Sequence, residues 1–204
     1  MNLPSHIKEI FFETLSGDKS VLDFEQWLYG DKQLESMLSP EDYLELISYG
    51  FKETAAKYGL FKGLEKHIEK DEYEKWRLLR LLYIALQRDN DLPFILMTFY
   101  DLYYKGYGFL DNLGLGYGLS VEVPSLYADS WDGLTSEQQQ RLINSFYPGL
   151  EYEIKKAIDW LESGKVVLTG EKDVYDHFVY IDHRTIEDRK PTAYEVVAKG
   201  NTDN

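Results

Sequence analysis

Residues 71–104, DEYEKWRLLRLLYIALQRDNDLPFILMTFYDLYY, form the longest apolar stretch of the sequence and decide its fold class. In the first half, Asp71 and Glu74 are spaced as in a helix capping box, and the apolar residues that follow leave only a narrow stripe of arginines. After the break at residues 90–91, Pro93 suits the first turn of a second helix. Because helices with so little polar surface belong inside a protein, the stretch predicts two consecutive buried helices.

Shorter amphipathic helices are expected on both sides of this central pair. Their starts are marked by residues that cap helices or favour the first turn, and glycines mark several ends. The start signals are Ser20, Asp31, Ser39-Pro40, Thr135 and Pro148, and the stop signals are Gly17 and Gly164. The residues between 54 and 68 also have helical spacing, although Gly59 and Gly63 weaken it. The sequence therefore predicts a mainly α, antiparallel, bundle-like body.

The C-terminal part changes to the period of two that strands show. Residues 166–168, 174–181 and 194–197 are rich in β-branched and aromatic side chains, with turn signals between them. We expect a small antiparallel hairpin or sheet. The predicted organisation is a helical body at 1–164, a β appendage at 165–199 packed on that body, and a disordered tail at 200–204.

Glycines are concentrated within the predicted helical body, between the central helix pair and the last two helices. Residues 105–123 are predicted to form a Gly-rich loop, and between residues 113 and 119 every second residue is glycine, in alternation with Leu113, Leu115, Tyr117 and Leu119. An extended segment of this kind would have one bare face that a neighbour can approach closely. The pattern GxGxG of Gly114, Gly116 and Gly118 lacks the spacing and the preceding strand of a dinucleotide-binding fingerprint. Whether the loop is a site or a structural element is left open.

Net charge is the strongest feature of the composition. The chain has 22 basic and 36 acidic residues, a balance of −14. Residues 1–50 contain 3 basic and 10 acidic side chains, so half of the excess (−7) lies there. Such a field repels nucleic-acid phosphates and anionic membranes and favours a basic protein partner. The alternative is that the acidity serves only solubility.

The sequence also indicates where the protein works. There is no cysteine, so disulfides and thiolate metal sites are excluded, and a reducing compartment is favoured. The first fifteen residues do not resemble a secretion signal, and no apolar run reaches the length of a membrane span. We expect a cytoplasmic protein.

No catalytic, cofactor or metal signature is found in the sequence. The four histidines lack the spacing of known zinc motifs, and no serine lies in a nucleophile motif. One constellation remains, Asp176-His177 and Asp182-His183. On a single strand the two histidines would share a face but lie roughly 20 Å apart, too far to bind one ion. We therefore predict no catalytic residue, no cofactor and no metal, and leave open a chemical role for these four residues.

Two groups of residues are candidates for binding a partner. The first is an acidic helical face formed by Glu35, Glu41, Asp42 and Glu45. The second is the segment YADSWDGL, where Asp129 and Asp132 flank Trp131 as acids flank an aromatic anchor in many interfaces. The alternative for the second group is a turn that packs Trp131 onto the body.

Two stretches resemble a known class of proteins. They are FEQWLYGDKQLESMLSPEDYLELISYGFK at residues 24–52 and YDLYYKGYGFLDNLGLGYGL at residues 100–119. They are similar to small acidic bacterial proteins that look like immunity partners of polymorphic toxins. The shared letters are mostly those that a helix pair buries, so no functional residue is carried over. The resemblance implies a cytoplasmic protein that binds and blocks a toxin domain, often a basic nuclease.

Charge and resemblance together favour a non-enzymatic, acidic interaction protein, most specifically an immunity protein that blocks a basic toxin domain such as a nuclease. Two alternatives remain. One is an enzyme whose dispersed site lies where residues 106–119 meet the C-terminal strands and uses Tyr117, Asp176 or His177. The other is a structural or adaptor module that associates with itself. The oligomeric state and the identity of the partner are not determined by the sequence.

Overall fold

The computed structural model describes residues 3–51, 56–124 and 128–190. These ranges contain ten α-helices and a C-terminal two-stranded antiparallel hairpin that packs on helices, which confirms the predicted fold class. The helices are α1 (Ser5–Ser16), α2 (Val21–Gly30), α3 (Lys32–Met37), α4 (Pro40–Ser48), α5 (Ala56–Glu65), α6 (Lys70–Leu86), α7 (Leu92–Tyr104), α8 (Leu119–Glu122), α9 (Ser136–Ser145) and α10 (Gly149–Glu162). A π-helix (Asn112–Gly118) and two 3₁₀ turns (Gly108–Leu110 and Trp131–Gly133) join α7 to α9, and the strands are β1 (Val166–Lys172) and β2 (Phe178–Asp182).

Helix starts follow the capping residues seen in the sequence. The side chains of Ser20, Ser39 and Thr135 each accept a hydrogen bond from a backbone N–H in the first turn of the following helix. The carboxylate of Asp31 accepts two such bonds at the start of α3. Each cap satisfies amide donors that no helical carbonyl can reach, so these starts are fixed locally. Helix α6 begins at Lys70, two residues earlier than an N-cap at Asp71 implies, which places Asp71 within its first turn.

The chain divides into two compact units, residues 1–77 (unit one) and 78–204 (unit two). The predicted helical body at 1–164 therefore contains two hydrophobic cores. The core of unit one is formed by apolar side chains of α1 to α5, and its most buried members include Ile7, Phe11, Phe24, Leu28, Leu34, Leu46, Leu60 and Leu64.

The core of unit two collects side chains from α6, α7, the π-helix, α10 and β1. Its most buried members include Leu78, Leu82, Leu96, Phe99, Tyr107, Val121, Leu150 and Ile154. Both central helices contribute to this core, but α6 is buried on one face only, since Tyr83 is 45% exposed. Val166 and Leu168 of β1 belong to the same core, so the hairpin is an integral layer of unit two.

The Gly-rich stretch is helical, which corrects the expected loop or extended segment. Gly114 and Gly118, four residues apart, lie on one face of the π-helix against α7. A Cβ atom on Gly118 would lie 2.3 Å from the carbonyl oxygen of Leu96, whereas one on Gly116 would meet no atom within 4 Å. One face of the stretch has no side chains, as expected. The glycines on that face recur every four residues, as in a helix, because the π-helix packs along its length against α7.

The hairpin is shorter than the sequence suggests. Strand β2 begins at Phe178, and the preceding residues 173–177 form the turn, with Asp176 in the left-handed region (φ 66°). The carboxylate of Asp173 accepts hydrogen bonds from the N–H groups of Tyr175 and His177, which closes the turn locally. Because His177 precedes β2 and His183 follows it, the expectation that both lie on one strand is wrong. The strand predicted at 194–197 and the tail at 200–204 lie outside the described residues.

Candidate interaction surface

The predicted acidic face lies in unit one, on α3 and α4. Glu35 of α3 and Glu41 of α4 are exposed, whereas Asp42 and Glu45 are half-buried. Glu41 and Glu45 are four residues apart on α4 and therefore share one side of that helix. Both carboxylates are in contact with solvent, and within the described parts of the chain no ion pair involves Glu35 or Glu41.

Asp42 and Glu45 are instead held by neighbours. The carboxylate of Asp42 accepts a hydrogen bond from the hydroxyl of Ser39 (2.7 Å), the residue that caps α4. Glu45 accepts two bonds from the ammonium group of Lys66 (2.6 and 2.8 Å) and one from the hydroxyl of Tyr49 (2.9 Å). Lys66 thus offsets part of the charge that the sequence assigned to this face.

Tyr49 reaches Glu45 because two glycines of α5 make room for its ring. A Cβ atom on Gly59 would lie 2.8 Å from Cε1 of Tyr49, and one on Gly63 would lie 3.1 Å from its hydroxyl oxygen. Gly59 and Gly63 are four residues apart and so form a bare track along one side of α5. Gly59 and Gly63, which lower the helix propensity of α5, therefore leave space for Tyr49, the side chain that holds Glu45 in place.

The contacts of Glu45 shift two pKa values in opposite directions. The hydrogen bond from Lys66, followed by that from Tyr49, lowers the pKa of Glu45. Burial, together with the hydrogen bond to Glu45, raises the pKa of Tyr49 to about 12. Glu45 therefore stays ionised and Tyr49 stays neutral at every pH near neutrality.

His67 lies beside the same carboxylates, with its Nε2 atom 3.9 Å from Asp42 Oδ1. Burial lowers the pKa of His67 below its ordinary 6.5, and this effect exceeds the opposing attraction of Asp42. The imidazole is therefore neutral at pH 7 and leaves the negative charge of Asp42 in place.

Acidification should destabilise unit one through His67. Below pH 6.5 the unfolded chain binds the histidine proton more readily than the folded chain, so the free energy of unfolding falls as the pH drops from 7.5 to 5.5. The variant His67→Gln should show a smaller fall, measured by urea denaturation at the two pH values. His6→Gln is the control, because His6 is exposed, and it should keep the wild-type pH dependence. An unchanged dependence in His67→Gln would contradict the assignment.

The second predicted group lies in unit two, on the 3₁₀ turn before α9. Asp129 and Asp132 are exposed. Trp131 is half-buried and packs on the core of unit two, and its backbone oxygen accepts a hydrogen bond from the side chain of Gln139 (3.1 Å). Of the two alternatives for this segment, the structure has the turn that packs the indole onto the body. A role of these three residues in binding stays a prediction.

The junction proposed for a dispersed enzyme site is filled by aromatic rings. Residues Tyr107 and Phe109 meet Phe178 and Tyr180 of β2, with ring centroids 4.7 Å apart for Tyr107–Phe178 and 5.1 Å apart for Phe109–Tyr180. The backbone N–H of Phe178 donates to the carbonyl of Lys105 (2.6 Å), which fixes the strand against this segment. The junction is thus packed like a core.

The three residues named for that enzyme are in different environments. Tyr117 is buried in the π-helix, edge-on to Phe146. Asp176 and His177 are exposed on the hairpin turn, where Asp176 pairs with Lys172 (2.8 Å) and His177 lies 3.6 Å from Asp173. Tyr117 thus packs inside unit two, whereas Asp176 and His177 belong to the exposed hairpin turn.

A shallow groove in unit one is lined by His6, Trp27, Gly30, Asp31, Lys32 and Gln33. A shallow groove in unit two is lined by residues of α10, by Lys165 and by residues of the segment after β2. Within the described ranges, no three His, Asp or Glu side chains converge as a metal site requires. Among the helices described, none combines the length and apolar character needed to cross a bilayer.

Comparisons with protein-family models, curated proteins and solved structures gave no match. The similarity to immunity proteins consequently depends on the quoted residues alone, and the function has to be argued from surface chemistry.

Sequence reasoning missed the neighbours of the acidic face. Lys66, His67 and Tyr49 decide how much charge Asp42 and Glu45 present, but Lys66 follows Glu45 by 21 residues. No sequence pattern connects residues so far apart when the link depends on how α4 packs on α5. The one available signal was the pair Gly59 and Gly63, whose helical spacing marks a close approach.

Proposed function

We propose that this chain is a non-enzymatic interaction protein that binds and blocks a basic protein, most specifically a toxin domain such as a nuclease, in the cytoplasm. The proposal combines the net charge of −14 with the two fully presented carboxylates of Glu35 and Glu41. A negative surface of this kind steers a basic partner into fast encounter and occupies the place of a phosphate.

The observation that carries the proposal is the way the acidic face is built. Asp42 and Glu45 are anchored by Ser39, Tyr49 and Lys66, so α4 holds them in fixed positions. Glu35 and Glu41 extend beyond them into solvent. The anchored carboxylates of Asp42 and Glu45 give a partner a rigid surface, and the exposed carboxylates of Glu35 and Glu41 give it negative charge. Because the anchored side chains are already ordered, binding loses less conformational entropy.

The partner can be sought without knowing its identity. The whole chain, immobilised, should retain a basic protein from a lysate of its native cell at low salt, and the retained protein is then identified by mass spectrometry. A variant with Glu35, Glu41 and Asp42 changed to Lys should retain far less of it, because the change replaces three negative charges by three positive ones.

Association kinetics test the face itself. With the retained protein, the triple variant should associate at least about tenfold more slowly than the wild type at low salt, and added salt should reduce the difference by screening. The matched control is Asp89, Asp101 and Glu122 changed to Lys, which alters the net charge equally at three exposed positions of unit two. Equal slowing in both variants would show a general charge effect and remove the face from the proposal.

A further inference from the structure

The acidic face of unit one has an apolar side chain at its centre. Helix α4 packs on the core through Leu46, which is 1% exposed. Leu44 lies two residues before Leu46, about 200° around the helix, and therefore points away from the core. It is 60% exposed. The position of α4 that faces solvent most directly, where a polar residue is usual, is thus a leucine.

Carboxylates lie beside this leucine. Glu41 precedes Leu44 by three residues, so the two side chains are neighbours on the outer side of α4. Glu45 follows Leu44 directly and extends the negative charge around the helix. Residues 31–48 contain 5 acidic side chains and 1 basic side chain, a balance of −4. Leu44 is therefore an apolar side chain within a negative surface.

Tyr29 adds an aromatic ring to the same region. It lies in the last turn of α2 and is 59% exposed. Its hydroxyl lies 3.5 Å from the carbonyl oxygen of Ile47 on α4. Because Ile47 follows Leu44 by three residues, the ring lies beside the part of α4 that contains Leu44. Tyrosine offers a large contact area and has few rotatable bonds, so it loses little entropy when a partner covers it.

We propose that Tyr29 and Leu44 are the apolar anchor through which the acidic face holds its partner, and that the partner offers an apolar socket surrounded by lysine or arginine side chains. The inference rests on the proposed function, since it uses the same face and the same basic partner. Charge complementarity identifies this occupant. Lys66, which bonds Glu45, reduces the balance around Leu44 only from −4 to −3, so a basic rim is favoured and a second copy of this acidic chain is repelled.

The anchor and the charges should act on different rate constants. Charges attract a partner before contact, over roughly 10 Å at moderate salt, and so determine how fast the complex forms. Apolar side chains act only once they are covered, so they determine how slowly the complex dissociates. Tyr29 and Leu44 should therefore set the lifetime of the complex.

The test uses the basic protein that the immobilised wild-type chain retains from its native lysate, and surface plasmon resonance measures both rate constants. The double variant Tyr29→Ala/Leu44→Ala should dissociate at least about tenfold faster, with an association rate within about twofold of the wild type. The variant Tyr29→Phe/Leu44→Met keeps the apolar volume and should dissociate at the wild-type rate. Circular dichroism checks that both variants are folded, as expected for largely exposed side chains.

The matched control is Tyr104→Ala/Leu115→Ala. It removes the same two residue types from unit two, where Tyr104 is 72% and Leu115 43% exposed. The control should leave the dissociation rate unchanged. An unchanged dissociation rate in Tyr29→Ala/Leu44→Ala overturns the anchor, as does equal acceleration in the control.

The same measurements separate the anchor from the proposed function. If the triple lysine variant of the acidic face associates slowly while Tyr29→Ala/Leu44→Ala dissociates normally, the proposed function stands and the anchor is wrong. If Tyr29→Ala/Leu44→Ala dissociates faster while the triple lysine variant associates normally, the anchor stands and the role of charge is wrong. If the wild type retains no basic protein, both are wrong.

Discussion

Replacing Gly118 by alanine is expected to destabilise unit two by about 3 kcal/mol or more, since overpacking that moves backbone exceeds the usual cost of a core substitution. The added Cβ atom would lie 2.3 Å from the carbonyl oxygen of Leu96 and 2.9 Å from the Cβ atom of Tyr100. Neither atom is the flexible end of a side chain, so the π-helix and α7 must separate. That separation opens the core around Phe99 and Leu113.

Gly116→Ala is the matched control on the same π-helix. Its Cβ atom would meet nothing within 4 Å, so the variant should be stabilised by about 0.5–1 kcal/mol through the higher helix propensity of alanine. Gly114→Ala should lie between the two, because its nearest contact is 2.8 Å. Guanidinium denaturation and hydrogen exchange of residues 92–122 measure the effect. Equal unfolding free energies for Gly116→Ala and Gly118→Ala would show that the close packing is absent.

Replacing Glu153 by alanine is expected to cost about 3–5 kcal/mol, the range for breaking a buried ion pair by removing one partner. Glu153 is 3% exposed on α10. Its carboxylate lies 2.6 Å from the ammonium group of Lys156 and accepts a hydrogen bond from the side-chain amide of Asn112 (3.1 Å). The carboxylate thereby links α10 to the first residue of the π-helix, so its loss should loosen both.

The variant Glu153→Gln separates the effect of losing the charge from the effect of losing the side chain's shape. The amide keeps a hydrogen-bond acceptor for Asn112 but loses the charge that faces Lys156, so about half of the alanine effect should remain. Glu137→Ala is the surface control, because Glu137 forms an exposed pair with Arg141 on α9 and such pairs contribute about 0.5 kcal/mol or less. A cost for Glu153→Ala no larger than that of Glu137→Ala, measured by chemical denaturation, would disprove the buried link.

Both predictions concern the region that the sequence described least well. The glycines at 114, 116 and 118 were equivalent in an extended segment, yet the structure buries two and leaves one open. The bare face was predictable because glycine has no side chain. Whether this face repeats every two residues, as in a strand, or every four, as in a helix, depends on packing against α7. Nothing within the stretch itself indicates that packing.

The acidic face was likewise predictable only in part. That Glu35, Glu41, Asp42 and Glu45 lie on α3 and α4 followed from the caps at Asp31 and Ser39. That Lys66 offsets Glu45, and that His67 stays neutral beside Asp42, follows from the neighbouring segment after α5. Likewise, the letters around Trp131 fitted both an exposed anchor and a packed turn, and only the core of unit two distinguished them.

The sequence by itself determined the helix starts that follow Ser20, Asp31, Ser39 and Thr135, which side of these helices is apolar, and that the segment after α10 forms a hairpin. These features depend on caps, periodicity and turn residues within a few positions of one another. The tertiary structure alone decided that there are two cores, that a Gly-rich stretch winds into a π-helix, and that Lys66 pairs with Glu45. The physical reason is that packing and ion pairing join atoms whose separation along the chain is large, and no local pattern records which of them will meet.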